Sequence, residues 1–303
     1  MTGAQIAARA ATQTTVIPRR SGSERAREGA FRVLMYGAVG LAFVALAGIL
    51  ADALADGLPV LSWEFLTRFP SRILPDRAGI ESAIVGTIYL MVICAVLVVP
   101  LGVATAVYLE EYADRDRWWN RLVEINIQNL AAVPSVVYGI LGLAFIVRGP
   151  LSLGNVLLAG GITLALLVLP VVIIVAREAI RAVPPSIREG ALALGATQWQ
   201  TIWKQVLPGS IAGIATGAIL ALSRAIGETA PLLVIGAAAS PRFNPDGLDS
   251  QFTALPIQIF VWTQDPNRAF VERAAGAIIV LMAILLLMNS VAIWLRNRYE
   301  QKW

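Results

Sequence analysis

The chain contains no histidine among its 303 residues, one cysteine and two lysines. Without imidazole there is no His-based general acid or base, no catalytic triad of the usual kind, and few routes to a transition-metal site. Cys94 has no partner for an intrachain disulfide and sits in an apolar run, where it is expected to pack as a small hydrophobe. Neither Lys204 nor Lys302 follows the glycine spacing of a phosphate-binding loop, so the chain does not carry a nucleotide-hydrolysing site of that kind. Charge is scarce as well. Only 15% of residues are charged against 57% hydrophobic, with a mean hydropathy of +0.70. Soluble domains run nearer a quarter charged, so the balance points to a polytopic membrane protein.

A bilayer core takes about 20 apolar residues per helix. Six segments are long enough, near 31–54, 82–108, 130–147, 154–176, 209–239 and 272–295, the third carrying Pro134. The net charge of +4 suggests nucleic acid at first sight, but arginine placement explains it better. Most Lys and Arg fall before span one, between spans two and three, between spans four and five, or after span six. Basic short loops stay cytoplasmic, which puts both termini inside. Residues 1–30 are polar and predict a flexible cytoplasmic tail, and 297–303 form a second tail. Ala51-Asp52-Ala53 is compatible with signal cleavage, yet the apolar run before it is too long, so 31–54 is expected to stay as an anchor.

The connections carry further expectations. The outer loop 55–81 holds Trp63, Phe65 and Phe69, of a kind that settles at a membrane interface. Pro100 and Gly102 predict a bend in span two. Glu110 to Trp119 predicts a charged elbow with interfacial tryptophans. Gly209, Ala212, Gly213, Thr216 and Gly217 share much of one helical face, a small surface for a tight contact within the chain or with a second subunit. The 240–271 connection includes Leu255 to Trp262, too short to span and expected to pack against the outer end of the bundle or to serve gating.

Between Arg177 and Leu207 the chain turns polar. Pro184-Pro185 ends one helix, Ser186 is placed to cap the next, and Glu189 three residues on completes a capping-box spacing. Gly195 and Leu207-Pro208 then suggest a two-helix elbow that turns at Gly195 and re-enters the membrane at Pro208. Glu189, Gly190, Ala191, Gly195, Leu207 and Pro208 resemble the signature loop of permeases of ATP-binding-cassette (ABC) importers, with Gly190 in place of an Ala and Gln205 in place of an Ile. The resemblance implies an all-α membrane protein with the six-helix type I importer permease fold over residues 80–296. It also implies that loop 184–208 is a coupling helix docking into a soluble ATPase.

Arg224 and Glu228 lie between apolar residues, four apart. Charges at membrane depth are costly and usually face a cavity or one another. A structural salt bridge accounts for them. So does a pathway role, since the planar fork of arginine matches tetrahedral oxyanions. The run Arg224 to Leu233, with Ser223 and Thr229 beside the charges, resembles the phosphate-importer permease family of PstA type, as do Leu255 to Phe260 and Glu189 to Thr197. That likeness implies a non-catalytic subunit that moves inorganic phosphate inward. Its implied partners are a PstC-like second permease, two PstB-like ATPase subunits using ATP and Mg²⁺, a PstS-like phosphate-binding protein, and lipid; nucleic acid is not among them. No cofactor is expected in the chain itself. The alternatives are an importer for sulfate, molybdate or phosphonate, an ion-coupled secondary transporter, and a membrane scaffold without transport activity.

Overall fold

The computed structural model describes residues 22–114, 116–237 and 241–299. Among them every regular element is helical. The chain divides into two units, Met1–Asp52 and Ala53–Trp303. Up to residue 21 the expected tail lies outside the described residues, but from Gly22 the chain is already helical. This first helix, α1, runs Gly22–Gly57. Residues 300–303 of the C-terminal tail also lie outside the described residues.

In the second unit a short helix α2 (Trp63–Thr67) leads to α3 (Glu81–Val107). After α4 (Trp118–Ala131) and α5 (Ser135–Leu141) comes α6 (Leu157–Arg181), which packs along α3 as the centre of the core. Leu90, Cys94, Val98, Leu164, Val168 and Val172 interdigitate there, Cys94 as a fully buried packing residue. Pro100 and Pro170 sit inside α3 and α6 without interrupting either helix. Next come α7 (Pro185–Ala193), α8 (Gln198–Thr201), α9 (Leu207–Ile226), α10 (Ala230–Val234), α11 (Leu255–Thr263) and α12 (Arg268–Tyr299). Among the described residues five helices are long and apolar enough to cross a membrane, or six segments if one bent pair counts as a span.

That bent pair corrects the third expected span. Residues 130–147 are not one helix: α4 stops at Ala131, and α5 leaves at 105° to it. Pro134 is the cause, because the residue before a proline is pushed out of the helical region. From Ser135 the chain continues through a π-helical stretch, Gly142–Val147. At 1.5 Å per residue this limb is about 20 Å long, short of a ~30 Å hydrocarbon core. The charged elbow is likewise more structured than expected, forming a π turn at Tyr108–Tyr112 followed by the start of α4.

Span five departs from expectation at both ends. Helical structure begins at Gln198 and passes through the π stretch Ile202–Val206 into α9. The widened turn falls immediately before Pro208, whose ring would clash with a carbonyl in regular α geometry. Leu207-Pro208 therefore lies within a continuous helical rod. At the other end α9 stops at Ile226, Gly227 to Thr229 are non-helical, and α10 follows.

The small-residue face of α9 is used within the chain. A Cβ at Gly213 would meet Ala179, and one at Gly217 would overlap Val175, both on α6. Helix α11 packs against the bundle, as expected. Leu255, Ile257 and Trp262 are enclosed, Trp262 stacking on Phe270 and lying near Phe65. Phe65 is thus core and Trp63 is exposed, so the aromatics of loop 55–81 divide between two roles. Loop residues Leu248 and Ser250 accept backbone hydrogen bonds from Leu158 and Leu157 and so cap α6. The Ser250 hydroxyl donates to Asp246 and holds that carboxyl below its ordinary value.

Gly86 of α3 faces the Thr253 carbonyl so closely that a Cβ would overlap it. Gly86→Ala should therefore lower the thermal unfolding midpoint in detergent, overpacking of this kind costing about 1–3 kcal/mol. An unshifted midpoint would contradict the close approach of α3 and the 252–255 segment.

A cavity at two helix breaks and an exposed elbow

Two features stand apart from the packed core. The first is a cavity of about 330 Å³ where the broken helices meet. The whole α4–α5 break, Leu130 to Ser135, forms one side, with Tyr138 above it and Arg224 and Glu228 opposite. Gly139 allows α5 and α10 to approach, because a Cβ there would stand 2.7 Å from the Pro231 Cα. The Tyr138 hydroxyl donates to the Leu130 carbonyl at 2.9 Å, satisfying a group freed by the break. Non-helical backbone at membrane depth is tolerated where it is buried in protein or lines a polar cavity.

Arg224 and Glu228 are close but not tightly paired. Arg224 lies in the last turn of α9, whereas Glu228 sits in the break beyond it, so they do not share a continuous helical face. Arg224 Nε is 3.9 Å from Glu228 Oε1, with the arginine side chain 68% exposed and the glutamate 19%. An exposed contact of that length contributes little to stability. Ser223 faces away from the cavity, donating to Asn289 of α12 at 3.0 Å. Thr229 lies in the break, its hydroxyl 3.5 Å from the Gly227 carbonyl, and is not part of the cavity lining.

The second feature is the elbow from α7 to α8. No residue of α7 is buried. Its N-cap is Pro184, which forms no side-chain hydrogen bond, so Ser186 and Glu189 do not make the expected capping box. Pro185 already occupies the first helical turn, which moves Ser186 inside the helix, too late to cap it. The box forms eleven residues later, at Thr197 and Gln200. The Gln200 amide donates to Thr197 Oγ1 at 3.2 Å, and the Thr197 amide to the Gln200 side chain at 3.0 Å. Between the helices Gly195 adopts φ +85°, as a turn there requires. The Ala196 amide reaches the Ala191 carbonyl and the Gly195 amide the Leu192 carbonyl, the double bond pattern of a Schellman stop. Glu189 and Gly190 are exposed, Ala191 is half-buried, and Leu194 is 91% exposed.

Behind the elbow lies an ion cluster that inspection of the sequence did not assemble. Arg177 donates to Glu110 at 2.8 Å and to Glu124 at 2.9 Å; Arg181 donates to Glu110 at 2.7 Å and Glu178 at 3.1 Å. Arg188 of α7 binds Glu111. The charges were visible as separate runs at 110–124 and 177–188. Only the packing of α3 beside α6 shows which carboxylate meets which guanidinium.

A helical membrane core, a cavity at paired helix breaks and an exposed elbow define a transport permease. The chain belongs to the family of binding-protein-dependent transport system inner membrane components, whose pattern it matches over residues 98–303. It is 30% identical over 269 residues to the probable ABC transporter permease protein YqgI of Bacillus subtilis, covering 85% of this chain and 90% of that one. The phosphate transport system permease protein PstA 1 of Mycobacterium tuberculosis is 34% identical over 226 residues, covering 74% and 73%. That of Mycobacterium leprae, PstA, is 32% identical over 252 residues, covering 82% of each chain. A chain of a bacterial alginate ABC transporter, solved with an alginate-bound periplasmic protein, superposes with a TM-score of 0.65 at 16% identity over 92% of this chain and 99% of that one. A chain of the inward-facing MetNI methionine ABC transporter superposes at 0.58 and 17% identity, over 74% and 95%. At these identities the two structures speak for the fold alone.

Open space surrounds Gly190, whereas Gly195 is held at positive φ. Gly190→Ala should stabilise α7 by about 1 kcal/mol, the helix-propensity difference. Gly195→Ala should cost about 1 kcal/mol or more, because the backbone there disfavours a side chain. Amide hydrogen exchange across 185–197 should slow in the first variant and quicken in the second.

Proposed function

We propose that this chain is the permease subunit of an ATP-driven importer that moves inorganic phosphate into the cell. The observation that carries this is the cavity at the two helix breaks, with Arg224 and Glu228 on its wall. Arg224 makes only one long ionic contact among the described residues, which leaves its planar fork of donors available to a tetrahedral oxyanion. A loose site suits a pathway, since a tight one would trap the ion. The phosphate transport permeases among the relatives, alike over about three quarters of this chain or more, favour phosphate over another oxyanion.

The energy comes from a partner, and this chain breaks no bond itself. The elbow around Glu189 to Gly195 docks on an ATPase that binds ATP and Mg²⁺. An exposed helix end with Leu194 almost wholly in solvent is a surface that a protein partner would cover. Two PstB-like ATPases, a PstC-like second permease and a PstS-like phosphate-binding protein complete the assembly. Both termini face the cytoplasm, in keeping with the basic inner loops.

Radiolabelled phosphate uptake at low external phosphate tests the proposal, in cells lacking this chain and in the same cells carrying it. The intact chain should restore uptake, with unlabelled sulfate and molybdate failing to compete. Arg224→Gln should reduce uptake roughly ten-fold or more, the loss expected for a charged hydrogen bond to the ion, while the assembly with its ATPase stays intact. Full uptake by Arg224→Gln would remove this residue from the pathway; absent rescue by the well-expressed intact chain would remove phosphate.

A further inference from the structure

Helix α7 has no buried residue of its own, yet it is fastened to the membrane helices through the side chain of Arg188. Arg188 of α7 is about three-quarters buried and uses four donor contacts on three segments. Its Nε and Nη2 donate to Glu111 Oε1 at 3.0 and 2.8 Å. Nη1 reaches the Val183 carbonyl at 2.7 Å, and Nη2 the Ile180 carbonyl at 2.9 Å. These carbonyls belong to the end of α6 and the link beyond it; Glu111 belongs to the π turn that ends α3. On the far side of Gly195, the Gln198 side chain donates to the Glu111 backbone carbonyl. Residue 111 is therefore gripped from both limbs of the elbow. Its neighbour Glu110, 4% exposed, is held in turn by Arg177 and Arg181 of α6.

We infer that the Arg188–Glu111 link is the strut through which displacement of α7 moves the cytoplasmic ends of α3 and α6. The inference rests on the proposed coupling role of the elbow and assigns that role to a connection between side chains. Arg188 touches no substrate; it is a positioning residue. Two further features of the structure agree with a strut. Wide π turns, whose ladders depart from regular α bonding, occur at Tyr108–Tyr112 and Ile202–Val206. The first ends α3 at the residue Arg188 grips, and the second joins the elbow to α9, so both α3 and α9 meet the elbow through a turn that departs from regular α bonding. The fork also does what lysine cannot, since three donors on a point charge do not span a carboxylate and two carbonyls in one plane.

The test uses the complete importer in proteoliposomes and measures phosphate moved per ATP hydrolysed. The intact assembly is compared with Arg188→Gln, Glu111→Gln, the double variant and Arg188→Lys. Each single Gln variant should lower that ratio at least about five-fold, the small end of a typical coupling between sites. ATP hydrolysis and the amount of co-purified ATPase should stay near those of the intact assembly. The double variant should be no worse than the worse single, because both remove the same link, and Arg188→Lys should fall between. An unchanged ratio in the singles overturns the strut, as do additive losses in the double variant. Loss of bound ATPase in parallel with lost uptake also overturns it, since the link would then only maintain the fold. Failure of the intact assembly to move phosphate is a different result, which overturns the functional proposal and the strut with it.

Discussion

Backbone amides and carbonyls at membrane depth have no water to bond, and this constraint organises the whole chain. It makes every regular element among the described residues helical. It also makes the exceptions informative, because each interruption has to be satisfied locally. At the α4–α5 break the Tyr138 hydroxyl takes up the Leu130 carbonyl. At the end of α10, Gly236 at φ +83° closes a turn in which the amides of Gly236 and Ala237 return to Leu233 and Leu232. Breaks that cost this much accommodation occur together, and the space they leave is the cavity that holds Arg224 and Glu228.

The charged groups divide between two regions with opposite characters. Near the cavity, Arg224 and Glu228 are loosely associated and partly open. Beside the elbow, Arg177, Arg181 and Arg188 are engaged by Glu110, Glu111, Glu124 and Glu178 at hydrogen-bond distances. Loose pairing leaves donors for a passing ion. Tight pairing, partly shielded from water, ties helices together more strongly than exposed pairs do.

Several elements show how far patterns along the chain could be followed. Apolar length located the spans, because a helix that must cross hydrocarbon has to be apolar throughout. Pro134 was noticed, yet the 105° turn it produces was not expected, since prolines at 100 and 170 lie inside unbroken helices. Ser186 and Glu189 had the spacing of a capping box but lost it to Pro185, which begins the helix itself. Ser223 stood beside Arg224 and was grouped with it, although adjacent helical residues point about 100° apart and its hydroxyl goes to Asn289.

By itself the sequence determined that this is a membrane protein, roughly where its long apolar helices lie, and that an elbow turns at Gly195. These follow from composition, run length and one residue's backbone freedom, all local properties of the chain. Only the tertiary structure decided that two helix breaks meet around one cavity, that Gly213 and Gly217 serve α6, and that Arg188 finds Glu111 across 77 positions of chain. Such pairings depend on which helices lie side by side, and packing between distant segments leaves no periodic trace in either of them.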